Sequence, residues 1–365
     1  MPSPYCIGLM SGTSMDGVDG VLVDFSGPQA AVIAHASQAL PAALRAELMA
    51  LNSPGEDELH RAAMAANGLV QQYAQVVAAL LYRGEIEPAQ IAAIGAHGQT
   101  VRHRPELGYT LQLNAPALLA ELTGIGVVAD FRSRDVAAGG QGAPLAPLFH
   151  QAAFAAHAPC AVLNLGGIAN VTLLRPGQPP VGFDTGPANV LLDLWCARHT
   201  GQAYDANGQW AAGGQADSQL LDALLQEPWL ALPPPKSTGR DLFNAEWLDQ
   251  RLARHGAQLS PQDVQATLLQ LTAQSVARAI RGHGADTQKV LVCGGGAYNQ
   301  ALMQALAAAL DQPVRGTDAA GVPPDRVEAL AFAWLAWQHR QGQALPTTTV
   351  TGSRGARVLG AWYPA

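Results

Sequence analysis

The stretch LMSGTSMDGVDGVLVDF, residues 9–25, combines two apolar segments with a glycine-rich turn between them. This pattern predicts two short strands joined by a tight turn. A second stretch, LNLGGIANVTLL at residues 163–174, repeats the same pattern. Hairpins of this kind are expected at the start of each half of a duplicated α/β protein. From the pattern alone, two unrelated hairpins remain the alternative.

Length and composition limit the classes of protein to consider. A chain of 365 residues is longer than one hydrophobic core usually carries, so we expect two domains. A content of 13% charged and 48% hydrophobic residues excludes an unfolded chain. The formal net charge of -7, with no basic run, argues against a nucleic-acid partner. No stretch is apolar for long enough to span a membrane, so we expect a cytoplasmic protein without membrane contact.

Short apolar runs alternate with segments of helical period along the whole chain, which is typical of an α/β protein. The best-marked helix begins after Ser260, with Pro261 in its first turn, and ends at Gly284. Strands are predicted at residues 5–10, 18–25, 91–96, 125–129, 161–165, 171–174, 289–292 and 314–316. Further helices are predicted at residues 58–81, 188–199, 243–255, 300–310 and 325–341.

The spacing of the two hairpins places a domain boundary near Asp130. The predicted division is an N-terminal domain of residues 1–130, to which the extreme C-terminal segment is a candidate addition, and a C-terminal domain of residues 131–365.

Three glycine-rich turns follow apolar strands: SGTSMDG at residues 11–17, LGGIAN at residues 165–170 and CGGGAYN at residues 293–299. A phosphate site needs backbone N–H groups that converge on one point, and glycine permits the required backbone approach. The two lysines, Lys236 and Lys289, lie outside any GxxxxGK[ST] pattern, and no strand is followed by GxGxxG. P-loop and Rossmann nucleotide sites are therefore excluded.

A series of motifs from Ile7 to the closing LGAWYP carries a family resemblance. In chain order they are IGLMSGTSMDGVD (7–19), AHGQT (96–100), DFRSRDVAAGGQGAPLAP (130–147), NLGGIANVT (164–172), GFDTGPAN (182–189), PPKSTGRDLFN (234–244) and LVCGGGAYN (291–299). This order resembles the anhydro-N-acetylmuramic acid kinase family, which belongs to the sugar kinase, Hsp70 and actin superfamily.

The resemblance implies two actin-like (ribonuclease H-like) domains with a nucleotide cleft between them. It implies an enzyme that opens the 1,6-anhydro ring of anhydro-N-acetylmuramic acid with water and phosphorylates O6 from ATP, yielding N-acetylmuramic acid 6-phosphate and ADP for murein recycling and amino-sugar catabolism. The implied cofactors are ATP and Mg²⁺, and the implied assembly is a homodimer. The alternatives are another sugar or carboxylate kinase of the superfamily, or a non-catalytic ATP-dependent switch.

The ring-opening reaction needs a general base, and Asp184 in GFDTGPAN is the candidate. It follows a predicted strand and precedes Gly186 and Pro187 at an expected helix start. It should therefore lie at the carboxyl end of a sheet, where ligands bind in open α/β folds. From the residues alone, a helix-capping aspartate is an equal alternative. The family motif favours the base.

The resemblance also implies a nucleotide site built from the three glycine turns. The first turn is expected to meet the β- and γ-phosphates, the second to oppose it, and the third to let a helix start approach the adenosine; an ordinary hairpin or strand-to-helix turn is the alternative for each. The implied ATP-binding residues are Gly12, Thr13, Ser14, Met15, Asp16, Gly17, Val18 and Asp19, then Gly166, Gly167 and Asn170, then Gly294, Gly295 and Gly296.

Three residues are candidates for sugar binding. The resemblance implies sugar contacts by Arg132 in the DFR motif and by Glu328 near the C-terminal helix, with a solvated helix face as the alternative for Glu328. His97 is expected to be a buried structural or substrate-positioning histidine rather than a metal ligand. For the neighbouring Arg134 and Asp135, a surface ion pair is the alternative to a place in the sugar site.

The magnesium ligand stays undetermined by the sequence. Met10 and Asn164 occupy the places where the superfamily usually has aspartate. Asp16, Asp19 and Asp184 are candidates to hold the ion through water.

Overall fold

A computed structural model describes residues 3–12, 15, 17–256 and 258–365 of the chain. The chain forms two compact units. Unit 1 comprises Met1–Ala153 with Arg326–Ala365, and unit 2 comprises Phe154–Asp325. Among the described residues, no helix combines the length and the apolar character needed to cross a membrane.

Thirteen strands are found in the described part of the chain. In chain order they are β1 (Tyr5–Met10), β2 (Gly17–Asp24), β3 (Ala31–Ala39), β4 (Ile91–Ala96), β5 (Gln99–Arg104), β6 (Tyr109–Leu113), β7 (Val127–Ala129), β8 (Cys160–Leu165), β9 (Ile168–Leu174), β10 (Val181–Pro187), β11 (Val290–Cys293), β12 (Val314–Gly316) and β13 (Ala361–Tyr363).

Thirteen α-helices lie between these strands, again counted over the described residues, together with short 3₁₀ turns. They are α1 (Ala42–Ala50), α2 (Glu58–Gly84), α3 (Pro116–Thr123), α4 (Ser133–Ala137), α5 (Ala146–Phe154), α6 (Asn189–Thr200), α7 (Gln209–Ala212), α8 (Ser218–Leu225), α9 (Ala245–His255), α10 (Pro261–His283), α11 (Gln300–Leu310), α12 (Val327–Arg340) and α13 (Thr348–Thr351).

The two units share one strand order. Unit 1 has a sheet in the order β13-β7-β4-β1-β2-β3, and unit 2 has one in the order β10-β9-β8-β11-β12. In unit 1, β1, β2 and β3 pair antiparallel, and β4 and β7 run parallel to β1. In unit 2, β8, β9 and β10 pair antiparallel, and β11 and β12 run parallel to β8. This is the actin-like arrangement, present twice as predicted, and the two glycine-rich hairpins are β1–β2 and β8–β9.

The division into units differs from the predicted boundary at residue 130, and the C-terminal segment named as a candidate addition to the N-terminal domain lies in unit 1. Unit 1 continues past residue 130 to Ala153, and it takes in the whole segment Arg326–Ala365. The physical reason is packing: α12 lies against β1, β2 and β4, and β13 pairs with β7 at the edge of the same sheet. The C-terminal segment therefore completes the core of unit 1.

Two glycines allow α12 to lie directly on the sheet of unit 1. A Cβ atom at Gly8 in β1 would overlap the carbonyl oxygen of Ala329, and one at Gly95 in β4 would overlap that of Phe332. Neither glycine has a positive φ, so the requirement is one of space rather than of backbone conformation. Helix backbone thus replaces the side-chain layer that usually separates a helix from a sheet.

This close approach predicts the effect of one added methyl group. Gly95→Ala should lower the free energy of unfolding by about 1–3 kcal/mol, because helix backbone cannot yield as a side chain can. Gly282→Ala is the matched control, since Gly282 lies in helix α10 with open space around its Cβ position; it should stabilise by about 0.5–1 kcal/mol. Chemical unfolding followed by circular dichroism would measure both. Equal effects of the two substitutions would contradict the packing argument.

Candidate active site

Asp184 lies inside strand β10, whereas the sequence placed it after a strand and before a helix start. The strand continues through Gly186 to Pro187, and helix α6 begins only at Asn189. A register shift between Asp184 and Gly186 marks a β-bulge next to Asp184. Asp184 is therefore a strand residue at a bulge and not a helix cap.

One carboxylate oxygen of Asp184 is held by a loop from residues 236–238. Oδ2 accepts hydrogen bonds from the Ser237 hydroxyl at 3.0 Å and from the Thr238 N–H at 2.8 Å. The Asp184 N–H donates to the carbonyl oxygen of Lys236 at 3.1 Å. No described residue donates to Oδ1. The carboxylate is thus fixed at one oxygen and open at the other.

The environment of Asp184 raises its pKa to about 6. Burial is the main cause, because it penalises the charged form; the bonds from Thr238 and Ser237 and the charge of Lys236 act in the opposite direction. Lys236 is itself held in place, since its ammonium group donates to Leu230 O at 2.9 Å and lies 4.4 Å from the Trp229 ring centroid. A carboxylate with this pKa is ionised near neutral pH and still basic enough to accept a proton.

Three polar residues stand side by side on neighbouring strands of unit 2. Asn164 in β8 is opposite Asn170 in β9, and Asn170 is opposite Asp184 in β10. Directly opposed residues of antiparallel strands project to the same face of a sheet. The register therefore forms a row of two amides and one carboxylate on one face.

The second glycine turn lies next to this row. The carbonyl oxygens of Gly166 and Gly167 accept from N–H groups at the start of α6, including that of Asn189. Neither glycine has a positive φ, and an added Cβ would meet only ordinary contacts, 3.7 Å from Ile168 O and 3.8 Å from Val190 Cβ. The packing of unit 2 does not require glycine at either position.

The third glycine turn, after β11, is required by packing in two of its three glycines. Gly294 has φ +81° and its N–H donates to Pro324 O at 3.0 Å, and Cβ atoms at Gly294 or Gly296 would press on Leu165. Gly295 is less constrained, since a Cβ there would come no closer than 3.9 Å to Asn189 Nδ2. Packing alone therefore requires glycine at positions 294 and 296.

A cavity of about 340 Å³ opens beside this turn. Tyr298 supplies an aromatic ring, and its hydroxyl donates to Asp325 Oδ1 at 3.0 Å. The cavity is lined by Ala297, Tyr298, Gly316, Asp318, Pro323 and Pro324. Its size and mixture of apolar walls with one carboxylate are those of a small-molecule pocket.

The first glycine turn is described only in part. Thr13, Ser14 and Asp16 lie outside the described residues. The Met15 N–H donates to Gly12 O at 3.2 Å. The side chains of Met15 and Val18 are buried in the core of unit 1, so any ligand contact by these two residues would come from the main chain. Gly17 begins β2, where a Cβ would lie 2.9 Å from Gln38 O; Asp19, in the same strand, is exposed.

His97 and Arg132 follow the ends of the parallel strands β4 and β7 in unit 1, and they contact each other. The Arg132 guanidinium donates through Nε and Nη2 to His97 Nε2, at 3.2 and 3.0 Å, and through Nη1 to Gly142 O at 2.9 Å. Burial and the Arg132 charge lower the pKa of His97 to about 3. The imidazole is therefore neutral and acts as an acceptor that orients the arginine, which agrees with a positioning role.

Arg132 keeps its charge although it is largely enclosed. Burial lowers its pKa to about 10, and the carboxylates of Glu328 and Asp135 oppose that shift. Glu328 is exposed in the first turn of α12 and close enough to Arg132 to act on its pKa. Unit 1 thus brings together all three predicted sugar-binding residues.

Asp135 is not part of a surface ion pair, because its side chain is completely buried. Oδ2 accepts from the Gly142 N–H and Oδ1 from the Thr351 hydroxyl, both at 2.7 Å. Arg134 is exposed, so the alternative of a surface ion pair between the two residues is wrong. Asp135 instead holds Gly142, whose carbonyl oxygen binds Arg132.

No cluster of three or more His, Cys, Asp or Glu side chains suited to a metal occurs among the described residues. The row of Asn164, Asn170 and Asp184 offers oxygen atoms, but only one carboxylate. Such a set suits an Mg²⁺ ion that keeps most of its waters and is held mainly by phosphate oxygens.

Comparison with known proteins decides the family. The family model described as anhydro-N-acetylmuramic acid kinase matches residues 4–365. The chain belongs to the anhydro-N-acetylmuramic acid kinase family. The anhydro-N-acetylmuramic acid kinase of Bordetella petrii is 65% identical over 367 residues, which cover 100% of this chain and 97% of that protein. The one of Albidiferax ferrireducens is 55% identical over 389 residues and all of both chains.

In this member of the anhydro-N-acetylmuramic acid kinase family, the residues that hold the Asp184 carboxylate were not predicted from the sequence. Ser237 and Thr238 stand in the PPKSTGRDLFN motif, which was quoted for the resemblance but given no role. The pattern of prolines followed by small hydroxyl residues was a usable signal, since such loops present both N–H and O–H donors.

The raised pKa of Asp184 has a consequence for stability. Its folded pKa of about 6 lies above the ordinary unfolded value of about 3.9, so the folded protein binds the extra proton between these values. Stability should fall as pH rises from about 4 to about 6, by on the order of 2–3 kcal/mol, and this term should be absent in Asp184→Asn. Urea unfolding of both proteins between about pH 4.5 and pH 7.5 would measure it. A constant difference between the two proteins across that range would contradict the raised pKa.

Proposed function

We propose that this protein is an anhydro-N-acetylmuramic acid kinase that opens the 1,6-anhydro ring with water and phosphorylates O6 from ATP, giving N-acetylmuramic acid 6-phosphate and ADP. Family membership over residues 4–365 supports the activity. The observation that carries the mechanism is the Asp184 carboxylate, which has one oxygen fixed, one open and a pKa of about 6.

Asp184 acts as the general base. Its open oxygen Oδ1 accepts a proton from water as the water oxygen attacks the anomeric carbon of the sugar. The bond from that carbon to O6 breaks, and O6 attacks the γ-phosphorus of ATP with loss of ADP. The bonds from Ser237 and Thr238 to Oδ2 hold the carboxylate in one orientation throughout, which keeps Oδ1 directed at the water.

The glycine turns bind the nucleotide. Gly166 and Gly167 are not required by the packing of unit 2, which favours a role in close approach of phosphate oxygens to the main chain. Gly12 to Asp19 are proposed to serve the phosphates in the same way. The cavity beside Gly294, Gly295 and Gly296 suits the adenosine, with Tyr298 as a stacking surface.

Magnesium is the expected partner of the ATP phosphates, where it would neutralise charge on the transferred group. Asn164, Asn170 and Asp184 would hold it through its waters. Met10, at the other place where the superfamily has aspartate, offers no oxygen ligand.

Arg132 is proposed to bind the sugar. Arg132 donates one N–H each from Nε and Nη2 to His97 and one from Nη1 to Gly142 O. The guanidinium is therefore held rigid, and one N–H on each Nη atom stays available for a ligand. A fork of this kind matches the lactyl carboxylate or ring oxygens of the substrate. Glu328 is proposed to accept a hydrogen bond from a sugar hydroxyl.

We place the reaction in the cytoplasm, in murein recycling and amino-sugar catabolism, and propose a homodimer in solution. No observation favours another sugar or carboxylate kinase or a non-catalytic switch. A non-catalytic switch, in particular, needs no proton acceptor, whereas the pKa of Asp184, about 6, suits one.

Replacement of the proposed base gives a kinetic test. Asp184→Asn should lower turnover by about two to four orders of magnitude while nucleotide binding is retained. In the wild-type protein kcat/KM should fall below about pH 6, and Ser237→Ala should move that limb to higher pH, because the lost hydroxyl stabilised the carboxylate. Asp222→Asn, an exposed aspartate on α8, is the matched control. Turnover of Asp184→Asn within threefold of wild type would place the base elsewhere.

Coupling of ring opening to phosphorylation separates this activity from an ordinary kinase. In water enriched in ¹⁸O, mass spectrometry of the products should find one ¹⁸O atom at C1 of the sugar and none in the transferred phosphate. Label in inorganic phosphate with intact anhydro-sugar would instead show plain ATP hydrolysis.

A further inference from the structure

Three arginines line one small cavity in unit 1 that the proposed reaction does not use. Arg134 comes from helix α4, and Arg354 and Arg357 come from the loop after α13. The cavity holds about 180 Å³, and Ala137 and Ala138 complete its wall. We call this cavity the arginine pocket. It shares no residue with the proposed nucleotide or sugar sites.

The charges of the arginine pocket are not balanced within the described residues. None of its three guanidinium groups forms an ion pair with a described carboxylate. The chain as a whole is acidic, with a formal net charge of -7. Three like charges around one cavity repel each other, and an anion in the cavity would relieve that repulsion.

Arg354 is held in position by the fold. Its Nη2 donates to Ala137 O at 3.3 Å and its backbone N–H to Ala138 O at 2.9 Å. Gly139 has φ +83°, and a Cβ there would lie only 2.7 Å from Arg354 Nη1. The glycine thus leaves the space that the guanidinium occupies.

The two walls of the arginine pocket are joined to rigid parts of unit 1. Arg357 exchanges both backbone hydrogen bonds with Leu345, at 2.8 and 3.1 Å. On the other side, buried Asp135 binds the hydroxyl of Thr351, and Gln141 N–H donates to Thr351 O at 2.8 Å. The backbone of both walls is therefore fixed before any ligand arrives, which lowers the entropic cost of binding.

Size and chemistry indicate the ligand class. The cavity is smaller than the roughly 300–1,000 Å³ of pockets that enclose a whole drug-sized ligand. Planar guanidinium forks match the oxygens of both phosphate and carboxylate, and three positive charges around one cavity favour phosphate, which carries the higher charge of the two. We propose that the arginine pocket binds a phosphate group, either inorganic phosphate or the phosphate of a phosphorylated sugar.

Calorimetric titration of the full-length protein with inorganic phosphate, glucose 6-phosphate and glucose would test this, with ADP and magnesium present in excess. The first two should bind in the millimolar range or tighter, and glucose should not. Stronger binding of glucose 6-phosphate than of phosphate would assign the pocket to phosphorylated sugars, and equal binding would assign it to the free ion. No heat of binding with either at about 10 mM would overturn the proposal.

Variants locate the bound anion. Arg354→Gln should weaken phosphate binding at least about tenfold, and Arg354→Lys should weaken it less, because the charge remains but the fork is lost. Arg45→Gln removes one positive charge from an exposed position on α1 and should change nothing. Unchanged binding in Arg354→Gln, with its melting temperature preserved, would move the anion away from this pocket. Equal losses of phosphate affinity in Arg354→Gln and Arg45→Gln would show that only the overall charge of the protein matters, which would also overturn the proposal.

Discussion

The direct contact of helix α12 with strands β1 and β4 is the constraint on which unit 1 depends. Gly8 and Gly95 remove the side chains that would hold the helix away, and the helix backbone occupies their place. Phe332 on this helix then packs against His97, with ring centroids 4.7 Å apart. His97 in turn orients Arg132. The geometry of the proposed sugar site therefore depends on Gly8 and Gly95, the two glycines that let α12 approach the sheet.

In unit 2, strand register positions the proposed base. Asp184 is in line with Asn170 and Asn164, so the proposed base has a fixed relation to the second glycine turn at the end of β8. The loop at residues 236–238 adds two donors to one carboxylate oxygen. Burial then raises the pKa of Asp184 to about 6 without removing its function as an acceptor. Backbone pairing thus fixes the position of Asp184, and the loop fixes the orientation of its carboxylate.

Much of the fold follows from local patterns in the sequence. Strands β1, β4 and β12 have the predicted bounds, and α10 begins after Ser260, whose hydroxyl caps the Asp263 N–H. Strand β10 was not predicted in full because Asp184, Gly186 and Pro187 all have low strand propensity, and pairing with β9 overrides it. The assignment of the C-terminal segment to unit 1 depends on contacts between residues far apart in sequence, which no local pattern encodes.

The site residues divide in the same way. The sequence motifs pointed to Asp184, Arg132 and Glu328. The residues that orient these side chains and shift their pKa values belong to distant segments of the chain. The burial of Asp135 could not be read from DFRSRD, where charged neighbours are typical of a surface. Its partner Thr351 is 216 positions away. Electrostatic environment is a property of the folded chain, and it is the part of the site that sequence reasoning reached least.

The divided make-up of unit 1 also sets an order of events during synthesis. Unit 2 is one uninterrupted segment and can reach its final contacts once Asp325 has left the ribosome. Unit 1 must wait for Arg326–Ala365, because β1 and β4 lack their covering helix until α12 has been made. Folding thus runs against the usual N-terminal-first direction. An apolar sheet face around Gly8 and Gly95 therefore stays uncovered until α12 has been synthesised, and exposed apolar surface of this kind is prone to aggregation.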